Sequence, residues 1–325
     1  MQTDISIVIP LLNEEESLPE LVSWIGRVCG ENGYSYEVIL VDDGSTDDSW
    51  RVIEKLAASG ENIRGIKFQR NYGKSAALNE GFKAARGNVV ITMDADLQDV
   101  PAEIPSLLAP ILNDEADLVS GWKADRQDPA SKTVPSALFN RVVRVMTGVE
   151  LHDFNCGFKA YRDEVLDELT LYGELHRYIP VLAHVRGFRV AEVAVPHRPR
   201  RYGHSKFGPA RFFRGFFDLL TVLFLSQYTR RPLHLFGLIG VITFGLGFLI
   251  DAYLAFAKLV LGQPIGHRPL LTLGVLLIIV GTQFIVFGLL GEMIAHHAHI
   301  SSAATGRSTD YSIRRVLRHD ESAHD

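Results

Sequence analysis

Through the first two hundred residues, short apolar runs alternate with longer stretches whose apolar positions recur every three or four residues. The runs are ISIVI (5–9), EVILV (37–41), IRGIKF (63–68), NVVITM (88–93) and DLVSG (117–121). Each is too short for a free-standing helix, and several are rich in β-branched residues, so they predict buried strands. Helical spacing fills the gaps at 15–28, 47–58, 75–86 and 102–112. Strand and helix alternating at this pitch predict an α/β fold, a mostly parallel sheet with helices on both faces. Ligands of such sheets sit at the carboxyl ends of strands, where the strand order reverses.

Beyond residue 209 the pattern changes. Residues 233–257 and 270–290 are apolar almost throughout and long enough to span hydrocarbon, which needs about 20 residues. A short polar turn around GQPIGHRP separates them, so the two spans form a hairpin whose outer ends emerge on one side. The flanks carry Arg211, Arg214, Arg230, Arg231, Arg307, Arg314, Arg315 and Arg318, against Lys258 and Arg268 in and beside the connecting loop. That asymmetry predicts a multi-pass protein of the inner membrane, with both termini and the preceding domain in the cytoplasm. In GPARFFRGFFDLLTVLFLSQY, Arg211, Arg214 and Asp218 share one helical face amid phenylalanines, the pattern of a helix lying in the interface. The expected division is therefore a domain over 1–208, a juxtamembrane amphipathic helix over 209–230, the hairpin over 231–293 and a cytoplasmic tail over 294–325. Asp251 falls near the far end of the first span, and Gln283 of the second could hydrogen-bond within the hairpin or to another copy in a homo-oligomer.

Composition adds exclusions. A formal net charge of −5 gives no electrostatic ground for a nucleic-acid partner. The two cysteines, Cys29 and Cys156, form neither a metal-binding pair nor a disulfide framework, which suits a reducing compartment. The start, MQTDISIVIP, has too short an apolar run for a signal peptide.

Polar residues gather where the strands end: PLLNEEES after the first, VDDGSTDDS after the second, DADLQD after the fourth. Taken singly, Ser45 and Asp47 read as helix N-caps. Taken together, Asp42, Asp43, Asp94, Asp96 and Asp99 would repel one another at one sheet edge unless a cation or a polar ligand offsets the cost. Neither GxGxxG after the first strand nor GxxxxGK[ST] occurs, so neither a dinucleotide site nor a P-loop is supported. Asp94, Asp96 and Gln98 supply hard oxygens suited to Mg²⁺ or Mn²⁺, ions that usually also take oxygens from a substrate phosphate. A nucleoside diphosphate is the expected ligand.

The segments IVIPLLNEEESL, VDDGSTDDS, NYGKSAALNEGFKAARG, DADLQD, GWKADRQD, HDFNCGFKAYR and RRYGHSKFG occur in the order and spacing of a GT-A glycosyltransferase of family 2. The chain resembles in particular the polyprenyl-phosphate glycosyltransferases, of the dolichol-phosphate mannose synthase type and its bacterial undecaprenyl-phosphate relatives. The resemblance implies that Pro10, Leu12, Glu14, Val41, Asp42, Asp43, Lys74, Asp94, Ala95 and Lys123 bind a nucleotide sugar. It implies that Asp96 and Gln98, with Asp94, hold the metal, and that Arg200, Arg201 and Lys206 meet the lipid phosphate or the diphosphate. Lys123 stands where many relatives have arginine and lacks the bidentate fork. Asp153 matches the family's candidate base. A phosphate monoester has a second pKa near 6, however, so the acceptor is largely ionised at neutral pH, and Asp153 can equally be an orienting group.

The implied activity is inverting transfer of one sugar from a nucleotide diphosphate sugar, a UDP-sugar such as UDP-glucose, to polyprenyl phosphate at the cytoplasmic leaflet of the lipid bilayer. One rival is a processive polysaccharide synthase, but none of Trp24, Trp50 and Trp122 lies in the QxxRW signature of those enzymes. Another is a non-catalytic nucleotide-binding membrane scaffold, which has no reason to keep both DADLQ and HDFNCGF.

Overall fold

A computed structural model of the chain describes residues 4–60, 62–124, 140–169, 171, 173, 175–196, 198, 232–262, 264 and 269–304, the side chains of 298–304 excepted. The chain divides into two compact units, Met1–Val222 and Leu223–Asp325.

Five strands of the first unit are those the apolar runs predict: β1 (Ile5–Leu11), β2 (Tyr36–Asp42), β3 (Ile63–Lys67), β4 (Val89–Thr92) and β5 (Leu118–Lys123). Every residue of β1 and β4 is buried, as expected of strands covered on both faces. The intervening helices are α1 (Leu18–Glu31), α2 (Ser49–Ser59), α3 (Lys74–Ala84) and α4 (Ile104–Leu112). In α1, Leu18, Leu21, Val22, Ile25, Val28 and Cys29 form one buried stripe at helical spacing.

Two further strands complete the sheet, β6 (Lys159–Arg162) and β7 (Val190–Val195), separated by α5 (Asp163–Asp167), a 3₁₀ turn at Leu175–Tyr178 and α6 (Ile179–Val185). The order is β3-β2-β1-β4-β6-β5-β7. β6 alone runs against its neighbours, antiparallel to β4 and β5, while the other pairings are parallel. The chain steps outward from β1 through β2 to β3, then returns to β4 on the other side of β1. The order therefore reverses between β1 and β4, and a crevice opens there at the carboxyl edge. Because β6 is reversed, its first residue, Lys159, pairs with Thr92 at the end of β4 and reaches the same edge.

The second unit is a pair of packed helices, α7 (Pro232–Leu259) and α8 (Pro269–Ala304). Both are long and apolar enough to cross a membrane, and both cover the windows read from the sequence. α8 runs on past residue 290, so the start of the expected tail is helical. The segment 209–230 lies outside the described residues.

Without water to drive apolar burial, helices in lipid associate by close backbone approach at small residues. A Cβ on Gly247 would stand 2.6 Å from the carbonyl oxygen of Gly274, and one on Gly240 2.8 Å from that of Gly281. Gly240, Gly247 and Leu254 are buried at intervals of seven, the period of a left-handed seam. Leu249, Phe256, Ile279 and Leu289 face outward. Gly247→Ala should therefore destabilise the full-length protein in detergent by the ~1–3 kcal/mol typical of overpacking and lower its melting temperature. Gly245→Ala, where a Cβ meets nothing within 4 Å, should not. Circular dichroism melts of the two variants check this.

Candidate active site

A cleft of about 520 Å³ opens at the switch point. Its lining includes Pro10, Leu12, Glu14, Asp43, Lys74, Asp94, Ala95 and Asp96, so eight of the residues singled out in the sequence converge there. They come from the end of β1, from the loops after β1, β2 and β4 and from the first turn of α3.

Asp94 is the centre of the cleft's charge. Burial alone would raise its pKa, but the ammonium of Lys74, to which it is paired, and that of Lys123 outweigh desolvation and hold it well below the usual carboxylate range. Its carboxylate packs against Gly157, where a Cβ would come within 2.7 Å of an oxygen. The glycine of NCGF is thus needed for Asp94 to sit where it does. The Asp94 N–H donates to Asp99 at 3.1 Å, and Asp99 pairs with Lys123 at 3.2 Å. Between Asp96 and Gln98, Leu97 adopts φ 61°, a strained conformation for a bulky residue, held by burying its side chain in the core. Asp96 Oδ1 accepts from the Gln98 N–H at 3.2 Å, and the Gln98 amide donates to the Arg198 carbonyl at 3.3 Å.

The acids after β1 and β2 divide their work. Asp43 accepts the N–H groups of Tyr72 and Gly73 at 2.7 and 2.9 Å, fixing the turn into α3. Burial raises its pKa, partly offset by those two bonds. Ser45 and Asp47, read as N-caps, mainly lace two loops together. Ser45 Oγ accepts from the Asn13 N–H at 2.9 Å, and Asp47 accepts from Ser49 at 3.0 Å and from Glu15 at 3.4 Å. Val41 and Asp42 are fully buried in β2, behind the cleft wall.

Asp153 is 1% exposed and does not line the cleft; its Oδ1 accepts the Asn155 N–H at 3.0 Å. Lys123 ends β5 beside Asp99. Arg200, Arg201 and Lys206 lie outside the described residues.

The cleft also contains groups that the pattern of strand ends did not indicate: Thr92, Lys159, Tyr161, His176 and Arg177. Lys159 is buried and donates to the carbonyl of Cys156. Burial lowers its pKa, with Lys74 adding to that, while Cys156, Asp153 and Asp94 pull the other way. His176 comes from the 3₁₀ turn and meets Ser75 at 3.0 Å across 101 residues. The lysine was visible within GFKAYR, but no local signal marks LHRY as part of a site. Among the described residues no group of three or more His, Cys, Asp or Glu could hold a metal ion unaided.

His176 is held well below the ordinary histidine range by burial, reinforced by Lys74, Arg177 and Lys159. The unfolded chain, with a histidine pKa of about 6.5, then takes up a proton before the folded one does. This contribution to stability is present above about pH 6.5 and is lost as pH falls below it. Melting temperatures at pH 7, 6 and 5 should fall less steeply for His176→Gln than for the unsubstituted protein.

The sequence pattern of the glycosyl transferase family 2 matches residues 6–170, just over half of the chain. Over 318 residues the chain is 39% identical to a dodecaprenyl-phosphate galacturonate synthase of Rhizobium johnstonii, covering 97% of this chain and 93% of that protein. Over 292 residues it is 38% identical to an undecaprenyl-phosphate 4-deoxy-4-formamido-L-arabinose transferase of Aeromonas hydrophila, covering 89% and 88%. Among solved structures, glucosyl-3-phosphoglycerate synthase from Mycobacterium tuberculosis in complex with Mn²⁺ and UDP-glucose matches with a TM-score of 0.54 at 22% identity. That match spans 69% of this chain and 79% of the other, and it is a likeness of fold. The cleft at the switch point of a seven-stranded sheet, the motifs that meet in it and the near full-length relatives lead to one conclusion: the chain belongs to glycosyl transferase family 2, and its first unit is a GT-A domain.

Proposed function

We propose that the protein transfers a single sugar, with inversion, from a UDP-sugar to a polyprenyl phosphate at the cytoplasmic face of a membrane. The observation that carries this is similarity running nearly end to end, apolar hairpin included, to a relative named for a polyprenyl-phosphate product. In this reading residues 1–208 hold the donor, 209–230 lie in the interface, 231–293 span the bilayer and 294–325 return to the cytoplasm. The excess of arginine on the hairpin's outer flanks supports that orientation.

The nucleoside lies against Pro10, Leu12, Glu14 and Asp43, with Val41 and Asp42 supporting that wall from behind. Asp94, held ionised by Lys74, faces the ribose and diphosphate. Asp96 and Gln98 would hold Mg²⁺ or Mn²⁺, an ion that would supply positive charge to the departing diphosphate. One carboxylate and one carboxamide, with no group of three or more His, Cys, Asp or Glu around them among the described residues, suit an ion that keeps water and takes substrate phosphate oxygens. Arg200, Arg201 and Lys206 bind the acceptor phosphate. An oxygen of that phosphate attacks C1 of the sugar, the bond from C1 to the β-phosphate oxygen breaks, and the nucleoside diphosphate leaves with the electron pair. The acceptor is already ionised near neutral pH, so little proton transfer is required. The burial of Asp153 supports its role as an orienting group, and positioning with charge stabilisation supplies most of the rate.

The test is transfer from labelled nucleotide sugars, among them UDP-glucose and UDP-galacturonate, to undecaprenyl phosphate by the full-length protein in detergent. Label should enter the lipid fraction with at least one donor, stop with EDTA and return with Mg²⁺ or Mn²⁺. Asp96→Asn should lower transfer at least a hundredfold, on the scale of losing a charge-assisted contact worth about 3 kcal/mol, and should leave the circular dichroism spectrum unchanged. Activity indifferent to chelation, or an unimpaired Asp96→Asn, removes the metal assignment. No lipid-linked product from any donor removes the function.

A further inference from the structure

Glu192 sits in the middle of β7, opposite Ser120 of β5. Its carboxylate gathers donors from one turn. The His152 N–H lies 2.9 Å from both oxygens, the Asp153 N–H 3.0 Å from Oε1, and His152 Nδ1 2.8 Å from Oε2. The Glu192 side chain is 10% exposed, whereas that of His152 is 56% exposed, so the carboxylate sits beneath a ring that faces solvent. The far side of the His152 ring is stacked on Trp122, with centroids 4.3 Å apart and planes 20° apart. Trp122 precedes Lys123, the partner of Asp99.

Two consecutive backbone N–H groups converging on one carboxylate fix the dihedrals between them, and an ionised acceptor makes each bond about twice as strong as a neutral one. Only a carboxylate suits the arrangement, because a carboxamide offers one accepting oxygen and would turn an N–H₂ toward a backbone donor. From this turn the chain runs on through Asn155, whose N–H is held by Asp153, to Cys156 and Gly157 in the cleft wall. Gly157 in turn packs against Asp94. Glu192 itself does not line the cleft.

We propose that Glu192 is a positioning residue for sugar transfer, setting the His152–Asp153 turn and through it the placement of Asp153. This rests on the reading of Asp153 as a group used in transfer. A residue that acts through another should lose its effect when the other is removed, whereas a brace that serves only the fold keeps an independent cost.

The experiment compares Glu192→Gln, Asp153→Asn and the double variant in the full-length protein in detergent, measuring kcat and KM for both substrates and the affinity for UDP by titration calorimetry. Glu192→Gln should lower kcat on the order of 10- to 100-fold, in line with the misplacement of a reacting group. UDP affinity and donor KM should stay within about twofold, and Glu192→Asp should recover part of the loss. The double variant should be no slower than Asp153→Asn. If Glu192→Gln does not fold, Glu192→Asp takes its place in the same cycle. Effects of the two substitutions that multiply, or a Glu192 variant with unchanged kcat, overturn the role of Glu192 while leaving that of Asp153 standing. An Asp153→Asn variant with unimpaired transfer overturns both.

Discussion

The first unit is organised around keeping one half-buried carboxylate charged. Asp94 leaves β4 at the point where the strand order reverses, where removal from water would by itself favour the neutral acid. Lys74 and Lys123 reverse that preference, and each is delivered by a different part of the sheet, the first turn of α3 and the end of β5. Gly157 leaves the space the carboxylate occupies, and Asp99 ties down both its N–H and Lys123. Four sequence motifs distant along the chain therefore share one electrostatic constraint, and the cleft follows from it.

Around that centre most polar side chains serve backbone. Asp43 fixes the turn into α3, Ser45 and Asp47 join the loops after β1 and β2, and Glu192 collects the turn at His152 and Asp153. A loop that must present groups to a ligand cannot rely on strand or helix pairing for its own N–H groups, so side chains accept them instead. Many of the acids in the motifs thus support the site from behind.

The second unit is patterned differently. Its outward side chains are large and apolar, and its contact seam is built from glycines that let one backbone rest on another. A soluble pair of this size would place its large apolar residues inside; here the order is reversed, as expected of helices long and apolar enough to cross a membrane.

Periodicity alone determined the five parallel strands, the four helices between them and the two long apolar helices, because each depends on local alternation that burial on known faces enforces. It also determined that carboxylates would crowd one edge, since strand ends in a parallel sheet share an edge by construction. The reversed strand β6 and the edge strand β7 were decided only by the tertiary structure: KAYR and VAEVAV carry no mark of direction, and pairing partners far away in sequence select it. The same holds for His176, brought to Ser75 across 101 residues, and for Asp153, whose burial behind the wall no local pattern encodes. Local sequence fixes which face of an element is apolar, whereas the side chains that meet at a site are fixed by how the elements close on one another, and that is a property of the whole sheet.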